Sequence, residues 1–458
     1  MKSIAKTLIL FLFITFTIST GIFDTDAVEF KPPMKIHSQA VLLVNTDTEE
    51  PTVVYRKNAD KRIAPASLTK IMTAIIVLES GADLETKVKV KQEMVYHEDF
   101  AGLSVSNAGF KPDEEVRLID VLYATVMCSA CEGANILADY FGNGSIPAFV
   151  DMMNAKVAEL GLKDTQFANA HGLDAKGQYT TADDMYKITS YALEKYPLFE
   201  KISTETKYSM PATNKNNERS LLHTNIMLYK DIGNTLAYNY YDERVKGLKT
   251  GTTDASGRSL VTLASDGKYN YMLITLKAPI KDKNGVDHAI RYSYTDHKEL
   301  YGWAFDNFKI RPVLDKDETI PGINVRLGKD KDYVALKPAK TIYAFIRNDI
   351  SNASIKIDRS NLPETLTAPI SKDEVVGKVK LILANQELAS ADLVAAESID
   401  RSILLFILDA ASKVAASQWF WTAVVLIVIL VFVYMILIIK HNNRRKRRQI
   451  RNVNRYKR

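Results

Sequence analysis

The sequence predicts an α+β main domain with helices on a mainly antiparallel sheet, followed by a small all-β domain and one C-terminal transmembrane helix. Three observations predict it. Helical periodicity fills much of residues 68–193, and three β-rich runs follow between Val245 and Leu276. After Phe308, Pro312, Pro321, Gly322 and Gly328 punctuate short alternating strands. The run from Trp419 to Ile439 holds 21 residues without a charge, enough to cross roughly 30 Å of hydrocarbon at about 1.5 Å per residue.

A chain of 458 residues suggests two or three domains. At 47% hydrophobic and 25% charged residues, ordinary globular folding is within reach and wholesale disorder is excluded. Two cysteines provide no disulfide framework. Seven histidines without HExxH or CxxC…HxxxH spacing argue against a zinc enzyme, so no metal and no cofactor is expected. Neither GxGxxG nor GxxxxGK[ST] appears. The net charge of +6 is uneven: residues 440–458 carry ten Lys/Arg and no acid, which leaves residues 28–439 at −4. A nucleic-acid binder would spread its basic charge over a folded face, so no nucleic-acid partner is expected.

Taken in order, residues 1–27 read as a signal peptide. Lys2 and Lys6 precede an apolar run from Leu8 to Ile18, too short to span a bilayer, and Thr25-Asp26-Ala27 supplies small residues for cleavage. Residues 28–308 form the main domain. Ala40–Val44 and Val53–Tyr55 flank a polar turn as a hairpin does. Leu68 to Glu79 reads as a helix with Ile71, Ile75 and Leu78 on one stripe and Gly81 beyond its end. Pro147 to Leu160 is a second, with Phe149, Met152, Met153, Val157 and Leu160 as its apolar face. Thr181 to Leu193 is a third, with Thr181 as N-cap. Asp266-Gly267 separates the last two strands of the main sheet, as a tight hairpin requires. Residues 309–395 form the small β-rich domain, and 396–418 a juxtamembrane amphipathic helix. The span 419–439 begins with Trp419 and Trp421 at the interface, and the basic tail 440–458 follows. The positive-inside rule puts that tail in the cytoplasm and the body outside a single-pass cell-membrane anchor.

Three short strings carry chemistry. In Ala66-Ser67-Leu68-Thr69-Lys70, a spacing of three sets Ser67 and Lys70 side by side on a helix. A serine hydroxyl needs an adjacent base, and a desolvated lysine amine can serve as one. A serine N-cap with a solvated lysine would give the same string. In Val245-Lys246-Gly247-Leu248-Lys249-Thr250-Gly251-Thr252-Thr253, a cation and hydroxyls on a strand edge suit a carboxylate, and Gly251 admits a substrate to the backbone. A solvated strand with a glycine turn is the alternative. Ser129, in Met127-Cys128-Ser129-Ala130-Cys131, lies between two apolar helical stretches, where it can relay a proton or cap a helix.

In the order SxxK, serine loop, KTG, the set resembles the penicillin-recognising serine enzymes, whose signature is SxxK, SxN and KTG. Ala64-Pro65-Ala66-Ser67-Leu68-Thr69-Lys70-Ile71-Met72-Thr73-Ala74, Asn169-Ala170-His171-Gly172-Leu173-Asp174 and Gly247-Leu248-Lys249-Thr250-Gly251 are similar to the low-molecular-mass D-alanyl-D-alanine carboxypeptidases over about residues 35–308. The resemblance implies a β-lactamase/transpeptidase-like fold and a serine peptidase that trims peptidoglycan stem peptides and is acylated by β-lactam antibiotics. It implies Ser67 as nucleophile, Lys70 as its base and Ser129 as proton-transfer partner. Lys249, Thr250 and Gly251 would bind the terminal carboxylate end of the substrate, and Thr252 would pair with Ser67 in an oxyanion hole of backbone N–H groups. Arg291 would be a second carboxylate contact.

The family's SxN is here Ser129-Ala130-Cys131, so an amide is missing and a thiol stands in its place. This keeps two further readings open, a penicillin-binding scaffold with weak turnover and a serine β-lactamase. Cys128 and Cys131 read as small buried residues at a helix start rather than a redox pair. His171 reads as a structural residue that binds its own loop's backbone.

Overall fold

The computed structural model describes residues 31–47, 51–231, 238–384 and 386–455; the expected signal peptide lies outside them. The chain divides into two compact units. The first runs to Arg311 and includes Phe345–Ile350; the second holds the rest from Pro312 onward.

The first unit is built on a five-stranded sheet. Its strands are β1 (Ala40–Asn45), β2 (Thr52–Lys57), β3 (Val245–Thr253), β4 (Gly257–Ser265) and β5 (Asn270–Ala278), in the order β2-β1-β5-β4-β3. All four pairings are antiparallel. Alternation along β1 sends Ala40, Leu42 and Val44 to one core and Val41 and Leu43 to another, so both faces of the sheet are covered.

Seven helices position the site: α1 (Thr69–Glu79), α2 (Leu118–Met127), α3 (Cys131–Phe141), α4 (Ile146–Glu159), α5 (Ala182–Lys195), α6 (Pro197–Thr204) and α7 (Tyr292–Asn307). The first six contribute to the larger core; α7 covers the opposite face with Leu300, Tyr301 and Ala304. Two helix starts follow their caps: Ser145 accepts from the Ala148 N–H at 3.2 Å, and Thr181 from the Asp184 N–H at 3.0 Å.

Two expected faces need correction. Helix α1 does not present a single stripe: Ile71, Met72, Ala74, Ile75, Ile76 and Val77 are all buried, because other helices and the sheet surround it. On α4, Phe149, Met153 and Val157 are buried, but Met152 is 40% exposed. The helix turns about 100° per residue, so Met153 and Met152 cannot both point at one neighbour.

The second unit holds β6 (Ile320–Arg326), β7 (Tyr333–Pro338), β8 (Lys356–Asp358), β9 (Thr365–Thr367), β10 (Val375–Leu383) and β11 (Gln386–Ala395), in the order β8-β10-β11-β7-β6-β9. Val334, Leu336, Val379, Leu381 and Leu393 are buried. Helix α8 (Ile403–Ala416) starts at Ile403, later than the expected 396, since Ile399 is instead paired with Ile370 in a β-bridge. Helix α9 (Gln418–Arg455) contains one segment, Gln418–Lys446, long and apolar enough to cross a membrane.

Candidate active site

Ser67 sits in a single 3₁₀ turn, Ala66–Leu68, that leads straight into α1. Ala66 has φ +48°, a left-handed conformation that an alanine adopts only under constraint. The constraint is Gly172, with φ +84°: a Cβ there would lie 2.1 Å from the Ala66 carbonyl oxygen. This close approach turns Ser67 out to a half-buried position while Lys70, one turn on, is fully buried. Lys70 Nζ donates to Ser67 Oγ at 3.0 Å, to the His171 carbonyl, and to Cys131 Sγ at 3.5 Å.

Ser129 lies in the short link between α2 and α3 and also has a left-handed backbone, φ +62°. Its hydroxyl caps no helix; it accepts from Lys249 Nζ at 2.8 Å. Lys249 is fully buried on β3 and also donates to the Thr250 carbonyl at 3.0 Å. The Thr250 hydroxyl meets that of Thr224 at 2.6 Å. Gly251 presses against the turn that carries Ser67, where a Cβ would lie 3.3 Å from the Ser67 nitrogen. Thr252, next on the strand, is exposed. The structure thus gathers Ser67, Lys70, Ser129, Lys249, Thr250 and Gly251 in one place, with Thr252 on the adjoining strand end.

Arg291 lies at the start of α7 and neighbours Arg258, which pairs with Thr252 across β3 and β4. The Arg291 backbone N–H donates to the Tyr240 hydroxyl at 2.8 Å. No hydrogen bond or ion pair joins it to Ser67, Lys70, Ser129 or Lys249 among the described residues. Its guanidinium neighbours Arg258, whose pKa is lowered by burial and then by Arg291; one Nη of Arg258 is buried without a partner. Asp287 only partly offsets the charge on Arg258, and two neighbouring cations favour an anion.

Burial pushes the Lys70 amine below the ordinary lysine value, partly opposed by Cys131 and Glu132. Burial lowers Lys249 further, and the charge of Lys70 adds to the effect. Two buried amines this close do not readily both hold protons, so one of them is available as a base. Glu132, beside Cys131, is pushed up by burial; its Oε1 accepts from the Ala108 N–H at 2.6 Å and anchors the segment before α2.

His171 does bind its own loop: the Leu173 N–H donates to its Nδ1 at 3.2 Å. Its Nε2 meets Asp99 Oδ2 at 3.0 Å. His97, Asp99 and His171 group closely enough to be weighed as metal ligands. The Asp99 N–H, however, donates to His97 Nδ1 at 3.3 Å, so both imidazoles have one nitrogen accepting from backbone and the other carrying the proton. Metal-bound histidines ordinarily donate through the second nitrogen, so this donor set suits a hydrogen-bond network better than an ion. Both cysteines are free thiols, Cys131 buried and Cys128 half-buried.

The sequence reading missed Thr224, Glu132 and Asp99. Glu132 adjoins the serine loop in the chain, but Thr224 and Asp99 stand in strings with no spacing that marks them.

A family model described as D-alanyl-D-alanine carboxypeptidase matches residues 26–280, more than half of the chain. A second, described as the penicillin-binding protein 5 C-terminal domain, matches residues 308–401. The chain belongs to the D-alanyl-D-alanine carboxypeptidase family, serine-type hydrolases among the low-molecular-mass penicillin-binding proteins. Among its relatives is D-alanyl-D-alanine carboxypeptidase DacF of Bacillus subtilis, 26% identical over 80% of this chain and 86% of the relative. DacA of Haemophilus influenzae is 28% identical over 79% and 85%. In fold, the chain is similar to penicillin-binding protein 5 from Haemophilus influenzae, with a TM-score of 0.55 and 24% identity over 81% of this chain and all of that one.

Proposed function

We propose that the chain removes the terminal D-alanine from peptidoglycan stem pentapeptides through an acyl-enzyme on Ser67. The observation that carries the reading is the 3.0 Å contact between Ser67 Oγ and the buried Lys70 Nζ. Neutral Lys70 takes the Ser67 proton as Oγ bonds the carbonyl carbon between the two D-alanines. The oxyanion is held by the backbone N–H groups of Ser67 and Thr252. The C–N bond then breaks, and the leaving amine receives a proton from Lys70 by way of Ser129. Water, deprotonated by Lys70, releases the shortened peptide and restores Ser67. Lys249, Thr250 and Gly251 hold the terminal carboxylate end, and the Arg258–Arg291 pair supports Arg291 as its second contact. β-Lactams acylate Ser67 in the same way.

The same reading places residues 28–308 as the catalytic domain outside the cell membrane and residues 309–395 as a stalk. Residues 1–27 are then a cleaved signal, 419–439 the single span, and the basic tail cytoplasmic, touching anionic lipid. Cys131 favours one second reading, an acylating protein with weak turnover. D-alanine release from diacetyl-Lys-D-Ala-D-Ala, with Ser67→Ala alongside, separates the two. Release by the parent alone establishes the carboxypeptidase; penicillin labelling without release selects the second reading.

A further inference from the structure

A cleft of about 580 Å³ lies beside the nucleophile rather than around it. It is walled by Thr252, Thr253 and Asp254 on one side, by Asn169 and Asp174 on another, and bordered by Asp99. Strand β3 gives it a direction. Lys249 and Thr250, the carboxylate end, come first; Gly251 abuts the Ser67 nitrogen; Thr252 to Asp254 continue into the cleft. An extended peptide advances about 3.3 Å per residue along such a strand. With its terminal D-alanine at Thr250 and its scissile carbonyl at Ser67, the residue before the D-Ala pair lies at Thr252, and a long side chain on it runs on past Thr253 toward Asp254.

The charges there are one-sided. Asp99, Asp174 and Asp254 line the cleft, and among the described residues no lysine or arginine does. Asp174 accepts from the Thr253 hydroxyl at 2.7 Å, which fixes the carboxylate without neutralising it. Asp99 faces His171, which burial and the nearby Lys70 hold neutral at ordinary pH, its pKa lowered to about 4. Asp254 is exposed at the turn after β3, with no ion pair among the described residues.

We infer that the cleft selects stem peptides whose third residue carries a free primary ammonium on its side chain, with Asp254 and Asp174 as the specificity-determining carboxylates. The inference rests on the carboxypeptidase reading for the direction in which the peptide lies. It separates two chemical classes: an unmodified lysine or amidated diaminopimelate side chain, which is cationic, and an acylated, cross-linked one, which is neutral. A diaminopimelate with a free distal carboxylate falls between them.

The test titrates the full-length Ser67→Ala protein in detergent with N-terminally labelled peptides and reads anisotropy, so that no turnover is needed. The peptides end in Lys-D-Ala-D-Ala, with the side-chain amine either free or acetylated. Each exposed ion pair is worth up to about fivefold, so the free amine is expected to bind about tenfold tighter. That ratio should fall toward one at raised salt and in the Asp254→Asn, Asp174→Asn double variant. Equal affinities, or no binding of either peptide, would overturn the inference. D-alanine release by the parent enzyme is scored separately: a retained preference without release counts against the carboxypeptidase reading and leaves the cleft's selectivity standing.

Discussion

Lys249 donates to the Ser129 hydroxyl at 2.8 Å across 120 residues of chain. The contact joins β3 to the link between α2 and α3. Lys70 reaches Cys131, two residues beyond Ser129, from a third element. Two buried amines therefore approach one short link; burial lowers the proton affinity of both, and the charge of Lys70 lowers that of Lys249 further. That arrangement lets a lysine, ordinarily an acid at neutral pH, act as a base.

Replacing Ser67 with Ala should abolish labelling by fluorescent penicillin and D-alanine release together. The side chain is half-buried, so folding stability should change by less than about 1 kcal/mol, read by thermal melting.

Lys70→Met keeps the apolar stem in its buried slot and removes the amine. Acylation should fall by roughly 10²- to 10⁴-fold, the usual worth of a positioned base. In the parent, only neutral Lys70 accepts the proton. The acylation rate should therefore rise with pH and level off below the ordinary lysine value of 10.5, in the direction that burial pushes the group. A plateau that persists in the Met variant would remove Lys70 from that role.

Cys131→Asn restores an amide beside Lys70. One added hydrogen bond to the peptide is worth about 1 kcal/mol, so peptide kcat/KM should rise about fivefold, and penicillin acylation should change less. A fall in both would mean that the larger side chain displaces Lys70.

Gly172→Ala forces a Cβ to 2.1 Å from the Ala66 carbonyl at φ +84°. The turn that aims Ser67 must shift. Loss of about 2 kcal/mol or more of stability and of most acylation is expected, measured by melting and by penicillin labelling.

His297 lies buried between the hydroxyls of Thr262 and Thr275 at 2.9 Å each, and burial lowers its pKa to about 3. The unfolded chain takes up this proton near pH 6.5, whereas the folded one refuses it until near pH 3. Stability should be complete above pH 6.5 and fall as pH drops through that window. His297→Gln should flatten part of the slope in pH-dependent melting; His171 and His223, both lowered to about 4, add to the slope in the same direction.

Local patterns were readable wherever the physics is local. The Thr181 cap, the alternation of β1 and the SxxK spacing each depend on neighbours within a few residues. Face assignments failed where burial depends on distant elements. Helix α1 is buried all round because the sheet and other helices surround it, and Met152 is exposed because no described residue covers that side of α4. Helix α8 begins at Ile403 rather than at 396 because Ile399 pairs with Ile370, a contact across 29 residues.

The sequence by itself determined the family, the order of domains and the identity of Ser67 and Lys70 as neighbours, since a helical turn sets that pair without help. Only the tertiary structure decided the rest. It brought Lys249 to Ser129 and Thr224 to Thr250, and put Asp99 and Asp254 along one cleft. The reason is physical. The pKa of a buried amine and the charge of a cleft are sums over groups that are close in space, and the folding of α2, α3 and β3 onto α1 creates that closeness.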